Sequence, residues 1–210
     1  MPLQTKHYAI AGAIIVLAGL VTGWAITQSG PKDVFAECRA AGSGTRADLG
    51  GAFTLTSETG ETVTDRDIFT RPTILYFGYT YCPDVCPLDT MRNAQATEIL
   101  DERGYDVQPV FVSVDSARDT PESLTAFTDV MSPKMIGLTG TPEQIKQVAK
   151  AYRVLFSVQD PNDPYTLISH STQSYLILPD LGYVDYFDRD ATPDEMADRI
   201  GCYLDHAKNS

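Results

Sequence analysis

Cys82 and Cys86 sit in "YFGYTYCPDVCP" (Tyr76 to Pro87), three residues apart, and are two of only four cysteines in 210 residues. At i and i+4 on a helical turn two thiols share one face. That spacing suits a disulfide, a redox couple, a peroxide-reactive thiol or two thiolates on one metal ion. Of the three histidines, His7 and His206 lie near the chain ends. His170, in "YTLISHSTQSYLIL", is the one inside the domain. If the fold brings its stretch opposite the cysteine turn, it adds an imidazole to the two thiols. Two soft sulfurs and an imidazole suit copper: Cu(I) accepts low coordination, and Cu(II) adds an oxygen ligand. A structural zinc wants a fourth ligand, and neither Cys38 nor Cys202 is near in sequence.

Positioning these residues requires an α/β frame. "AFTLTSETGETVT" alternates about Thr59-Gly60 and predicts a hairpin. "TILYFGY" and "VQPVFVSVD" read as buried strands. "LDTMRNAQATEILDERG" predicts a helix with Leu88, Met91, Ile99 and Leu100 on its apolar face and Gly104 as its stop. Thr120-Pro121, Thr141-Pro142 and Thr192-Pro193 each begin a helix, with a threonine cap and proline at the first helical position. "MIGLTG" is a short strand, and "QSYLILPDLGYVDYF" is a strand pair about Pro179 to Gly182. Strands alternating with helices predict a thioredoxin-like fold, a central mixed sheet flanked by helices, with the cysteine pair where the first buried strand meets its helix. There the helix N-terminus favours thiolate.

A net charge of −12 argues against nucleic-acid binding, which needs a basic face. "AIAGAIIVLAGLVTGWAI" (Ala9 to Ile26) holds no charged residue, and at ~1.5 Å per residue it is about as long as bilayer hydrocarbon is thick. It predicts a retained transmembrane anchor rather than a cleaved signal peptide, because it is long for a signal core and lacks a small-residue cleavage site. The organisation expected is a cytoplasmic N-terminus (1–8), an anchor (9–26), a linker (27–51) and one domain (52–210). Lys6 before the anchor puts the domain on the extracytoplasmic side, periplasm or intermembrane space.

The motifs "YFGYTYCPDVCP", "VFVSVDSARDTPE", "IGLTGTPEQI" and "SHSTQSYLI", in this order with an N-terminal anchor, resemble the Sco/SenC family of membrane-anchored copper proteins. The resemblance implies a thioredoxin fold, copper held by Cys82, Cys86 and His170, and maturation of the binuclear CuA site of cytochrome c oxidase. The implied partners are the copper-receiving oxidase subunit and a thioredoxin-like reductant of the two cysteines. Asp115 matches an acidic residue of the family's "VSVD" motif, which the resemblance implies acts beside the ligands; a carboxylate capping the next loop is the alternative. Ser116 stands where the family often has proline, and Ser169 where it often has aspartate.

Outside the cytoplasm unpaired cysteines are a liability, so Cys38 and Cys202 are expected to form a disulfide; two free buried thiols are the alternative. Three functions remain. A copper metallochaperone passes Cu(I) on by ligand exchange and is not an enzyme in the strict sense. A thiol-disulfide oxidoreductase uses Cys82 and Cys86 as a redox-active disulfide, although C-x-x-x-C spacing counts against it. A peroxide-reducing enzyme wants a nearby arginine, and Thr73 to Leu88 has none.

Overall fold

The structure, a computed structural model, describes residues 16–24, 33–39 and 49–208. The chain divides into two units, Met1–Val34 and Phe35–Ser210. In the first, residues 16–24 are helical and exposed, and the Thr22 hydroxyl donates to the Ala18 carbonyl at 2.7 Å. They fall within the expected anchor, whose remaining residues lie outside the described ones. Among the described residues no helix is long and apolar enough to cross a membrane.

The second unit runs Thr54–Ser57 (β1), Thr62–Thr64 (β2), Asp65–Ile68 (α1), Thr73–Gly78 (β3), Val85–Glu102 (α2), Gln108–Ser113 (β4), Pro121–Met131 (α3), Ile136–Thr139 (β5), Pro142–Ala151 (α4), Phe156–Val158 (β6), Ile168–His170 (β7), Ser174–Leu178 (β8), Gly182–Phe187 (β9) and Pro193–Lys208 (α5). The helix starts follow local chemistry. Thr141 accepts from the Gln144 amide while the Gln144 side chain accepts from the Thr141 amide, a reciprocal cap on α4. Thr120 and Thr192 cap α3 and α5 the same way with one or both bonds.

Seven strands form a mixed sheet in the order β2-β1-β5-β4-β3-β8-β9. β3, β4 and β5 pair in parallel, and β1, β2, β8 and β9 join antiparallel. β3 is buried along its whole length because helices cover both faces. Ile74 packs into one apolar cluster with Ala96 and Leu100 of α2 and Met196, Ile200 and Tyr203 of α5. Leu75 and Phe77 pack into another with Ile145, Val148 and Tyr152.

Three features differ from expectation. α2 buries only the C-terminal half of the predicted apolar face, Leu100 fully and Ile99 in part: Leu88 is 61% exposed and Met91 37%, whereas Asp89, Thr90, Arg92, Asn93 and Thr97 are buried. The reason is a polar network. Arg92 donates to Ser174 Oγ at 2.8 Å and to the Asp188 carbonyl at 3.0 Å, and Asp89 accepts from the Tyr76 hydroxyl at 3.0 Å. A second sheet, β6 paired with β7, occupies what the sequence reads as loop. Finally, within the stretch expected as linker, Phe35 and Cys38 are buried in the second unit.

Candidate metal centre

β3 ends at Gly78, the loop from Tyr79 carries Cys82, and Cys86 is the second residue of α2. Free amides of a helix N-terminus therefore point at the Cys82 sulfur: the Cys86 N–H reaches it at 3.4 Å. Burial opposes ionisation of Cys82, but the amides of Asp84 and Cys86 hold its thiol below the ordinary cysteine value. Cys86 goes the other way. It is fully buried, and burial, with the neighbouring Cys82 sulfur, pushes its thiol well up. Both thiols are free rather than joined.

The third donor arrives from the second sheet. His170 ends β7 opposite Phe156 of β6. Its Nδ1 lies 2.8 Å from the Ser171 carbonyl, so Nδ1 carries the proton, and the Nε2 lone pair faces Cys86 Sγ at 3.1 Å. A hydrogen bond that fixes the tautomer in this way is how ligating histidines are oriented. Burial lowers the imidazole's proton affinity and keeps it neutral, the form that ligates. The donor atoms of Cys82, Cys86 and His170 all lie within 4.8 Å of one another, and this soft set fits a low-coordinate Cu(I).

Two tyrosines that sequence reasoning passed over build the walls. Tyr79 accepts from the Ile168 amide at 3.3 Å, adds with its hydroxyl to the lowering of the Cys82 thiol and sets its ring edge-on to His170 at 5.9 Å. Tyr76 packs edge-on to the same imidazole at 6.2 Å and ties it to Asp89. Asp89 is buried and paired with Arg189 at 3.2 Å. Asp119 holds the cysteine loop: it accepts from the Thr80 amide at 2.9 Å and from the hydroxyls of Thr80 and Ser113. The only prior signal for the tyrosines was their place in the "YFGYTY" run.

Asp115 is buried and bound to Arg118, and it is not among the converging donors. Its carboxylate reaches the centre through Arg118, whose guanidinium lies 5.7 Å from the Tyr79 ring and 5.2 Å from that of Tyr81. Cys38 and Cys202 are joined, Cα to Cα 5.6 Å. The bond sits beside the packing of Phe35 on Tyr203, whose rings are 5.1 Å apart.

The family model described as SCO1/SenC matches residues 41–205, which takes in every element of the sheet and all three donors. The chain belongs to the SCO1/SenC family. It is 55% identical over 202 residues to "Protein SenC" of Rhodobacter capsulatus, covering 96% of this chain and 91% of that one. It is 40% identical to the human mitochondrial "Protein SCO1 homolog" over 74% of this chain and 53% of the human one, so it spans about half that relative's length. Among solved structures, Arabidopsis thaliana ScoI with copper bound superposes with a TM-score of 0.71 at 37% identity, over 77% of this chain and 99% of that one. The SCO1/SenC architecture, a mixed sheet with flanking helices, is thus the one described here.

Proposed function

We propose that this chain is a copper metallochaperone. Cys82, Cys86 and His170 hold one Cu(I) and pass it to the copper-receiving subunit of cytochrome c oxidase, where the binuclear CuA site is assembled. The observation that carries this reading is the meeting of two sulfurs and a tautomer-fixed imidazole nitrogen at the mouth of α2. Membership in a family involved in copper handling and oxidase assembly, and the copper-bound Arabidopsis relative, support it. Cys82 ionises more readily than Cys86, and both thiols give up their protons on binding; His170 presents Nε2 with its proton held on Nδ1. Asp115, through Arg118 and the tyrosines, acts as a positioning residue. In this reading the domain faces the extracytoplasmic side, anchored by the helix expected over residues 9–26.

The unequal thiols favour a second reading, in which Cys82 attacks a partner disulfide and Cys86 resolves it, or a thioredoxin-like protein reduces the pair before copper enters. Copper titration of the reduced chain separates the two. One copper per chain, with binding sharply weakened by Cys82→Ala, Cys86→Ala or His170→Ala, is expected for the chaperone. If His170→Ala binds copper at full stoichiometry and affinity and cells carrying it assemble a normal oxidase, the thiols act alone and the chaperone reading is wrong.

A further inference from the structure

A second group of two sulfurs and one imidazole lies on the last helix and shares no residue with the first. His206 Nδ1 is 3.5 Å from Cys38 Sγ and 3.7 Å from Cys202 Sγ, and all three donor atoms fall within 4.8 Å. Cys202 and His206 are i and i+4 on α5, the spacing that puts two ligands on one helical face. All four cysteines of the chain therefore sit in Cys2His groups. A disulfide that only fastens an arm needs no imidazole. Nor is the disulfide alone in bringing Cys38 to α5: Phe35, buried against Tyr203, fixes the same turn by packing. The Cys38 amide closes that turn on the Phe35 carbonyl at 3.1 Å.

We propose that reduction of the Cys38–Cys202 bond converts this group into a second soft-metal site that takes Cu(I). A dithiol supplies two electrons and two protons and becomes a disulfide; the S–S bond breaks and leaves two thiols. Attack comes at Cys202, which is partly exposed, since Cys38 is buried. Cu(I) then displaces both thiol protons to give two Cu–S bonds. Nδ1, which now shares its hydrogen with the Cys202 carbonyl at 2.9 Å, becomes the third donor when the ring proton sits on Nε2. Disulfide and metal are mutually exclusive, so the group holds copper only in a reduced chain. The site is independent of the chaperone reading above.

The test uses the full chain carrying Cys82→Ser and Cys86→Ser, which removes the first centre, so its outcome and that of the chaperone reading are distinguishable. The chain is reduced with dithiothreitol, desalted without oxygen and titrated with Cu(I) against bicinchoninate. The expected result is one copper per reduced chain and none per oxidised chain. Adding His206→Ala should weaken binding at least ~10-fold, the low end of what even outer partners of a metal cost when removed. X-ray absorption should show two sulfurs and one nitrogen. No copper uptake by the reduced chain overturns the proposal. So does uptake unchanged by His206→Ala, or loss of native circular dichroism on reduction, since either makes the binding that of loose thiols.

Discussion

Gly78→Ala tests the geometry of the centre without replacing a ligand. Gly78 closes β3, and its φ is not in the left-handed region, so the constraint there is space rather than backbone freedom. A Cβ built at that position meets Phe111 Cε2 at 2.9 Å, Tyr76 Cε1 at 3.0 Å and Cys86 Sγ at 3.1 Å, all inside the 3.4 Å at which ordinary contact begins. Neither ring can swing away. Phe111 is fully buried and Tyr76 nearly so, and Tyr76 is held by its bond to Asp89. The relief must come partly from Cys86, whose sulfur has to retreat by some tenths of an ångström from a position 3.1 Å from His170 Nε2. Overpacking of this kind costs ~1–3 kcal/mol. In a domain of this size that is a fall in Tm of roughly 3–10 °C. Copper affinity should fall at least ~10-fold with Cys82, Cys86 and His170 all present, because a misplaced ligand loses bond strength as well as position. Thermal unfolding of the apo chain and Cu(I) competition titration measure the two effects separately. A variant with lowered Tm but wild-type copper affinity would show that the rings yield and Cys86 stays, and would refute the claim that Gly78 is required by the centre.

Replacing Cys202 by serine should lower Tm by roughly 10 °C in calorimetry under oxidising conditions: the bond spans 164 residues, and measured disulfide contributions run ~2–4 kcal/mol. An unchanged Tm would mean that the packing of Phe35 on Tyr203 alone holds the arm. Iodoacetamide should label Cys82 before Cys86 in the reduced apo chain, with a rate profile whose midpoint lies below that of a free thiol. Amides lower the Cys82 value while burial raises that of Cys86, and mass mapping that finds Cys86 labelled first contradicts the arrangement. Asp89→Asn should destabilise the chain to urea by up to ~3 kcal/mol, since it strips a buried carboxylate from Arg92 and from a half-exposed Arg189; no change in the urea midpoint would show that the network carries no stability.

What could be read from the sequence was what local chemistry decides. The capped starts at Thr120, Thr141 and Thr192, the turns at Gly60 and Gly182 and the buried runs of β3 and β4 each carry their own signal within a few residues. The orientation of α2 does not. Its apolar residues predicted one face, but Asp89 and Arg92 are satisfied by Tyr76, Ser174 and Arg189 from other elements, and no periodicity records a partner that far along the chain. β6 and β7 escaped notice because "FSV" and "ISH" are short and mixed in polarity, and Pro161 and Pro164 between them read as loop. At the centre, the two cysteines and His170 were legible as residue types. The roles of Tyr79, Arg118 and Asp119 exist only once the loop, β4 and the second sheet are brought together.

Because among the described residues β6 and β7 pair only with each other, the imidazole rides on a flap separate from the loop and helix that carry the sulfurs. Besides the His170–Cys86 contact and the burial of Ile168 in the core, two hydrogen bonds among the described residues latch the flap to the rest of the domain: the Ile168 amide to the Tyr79 hydroxyl and Arg118 to the Pro164 carbonyl. Neither involves a donor atom of the centre. Lifting this latch would move the imidazole without breaking a bond at either sulfur, a local opening of the kind domains undergo without unfolding. If the chain delivers copper as proposed, a receiving protein that competes for the Tyr79 hydroxyl or the Arg118 guanidinium is expected to speed release without contacting either cysteine.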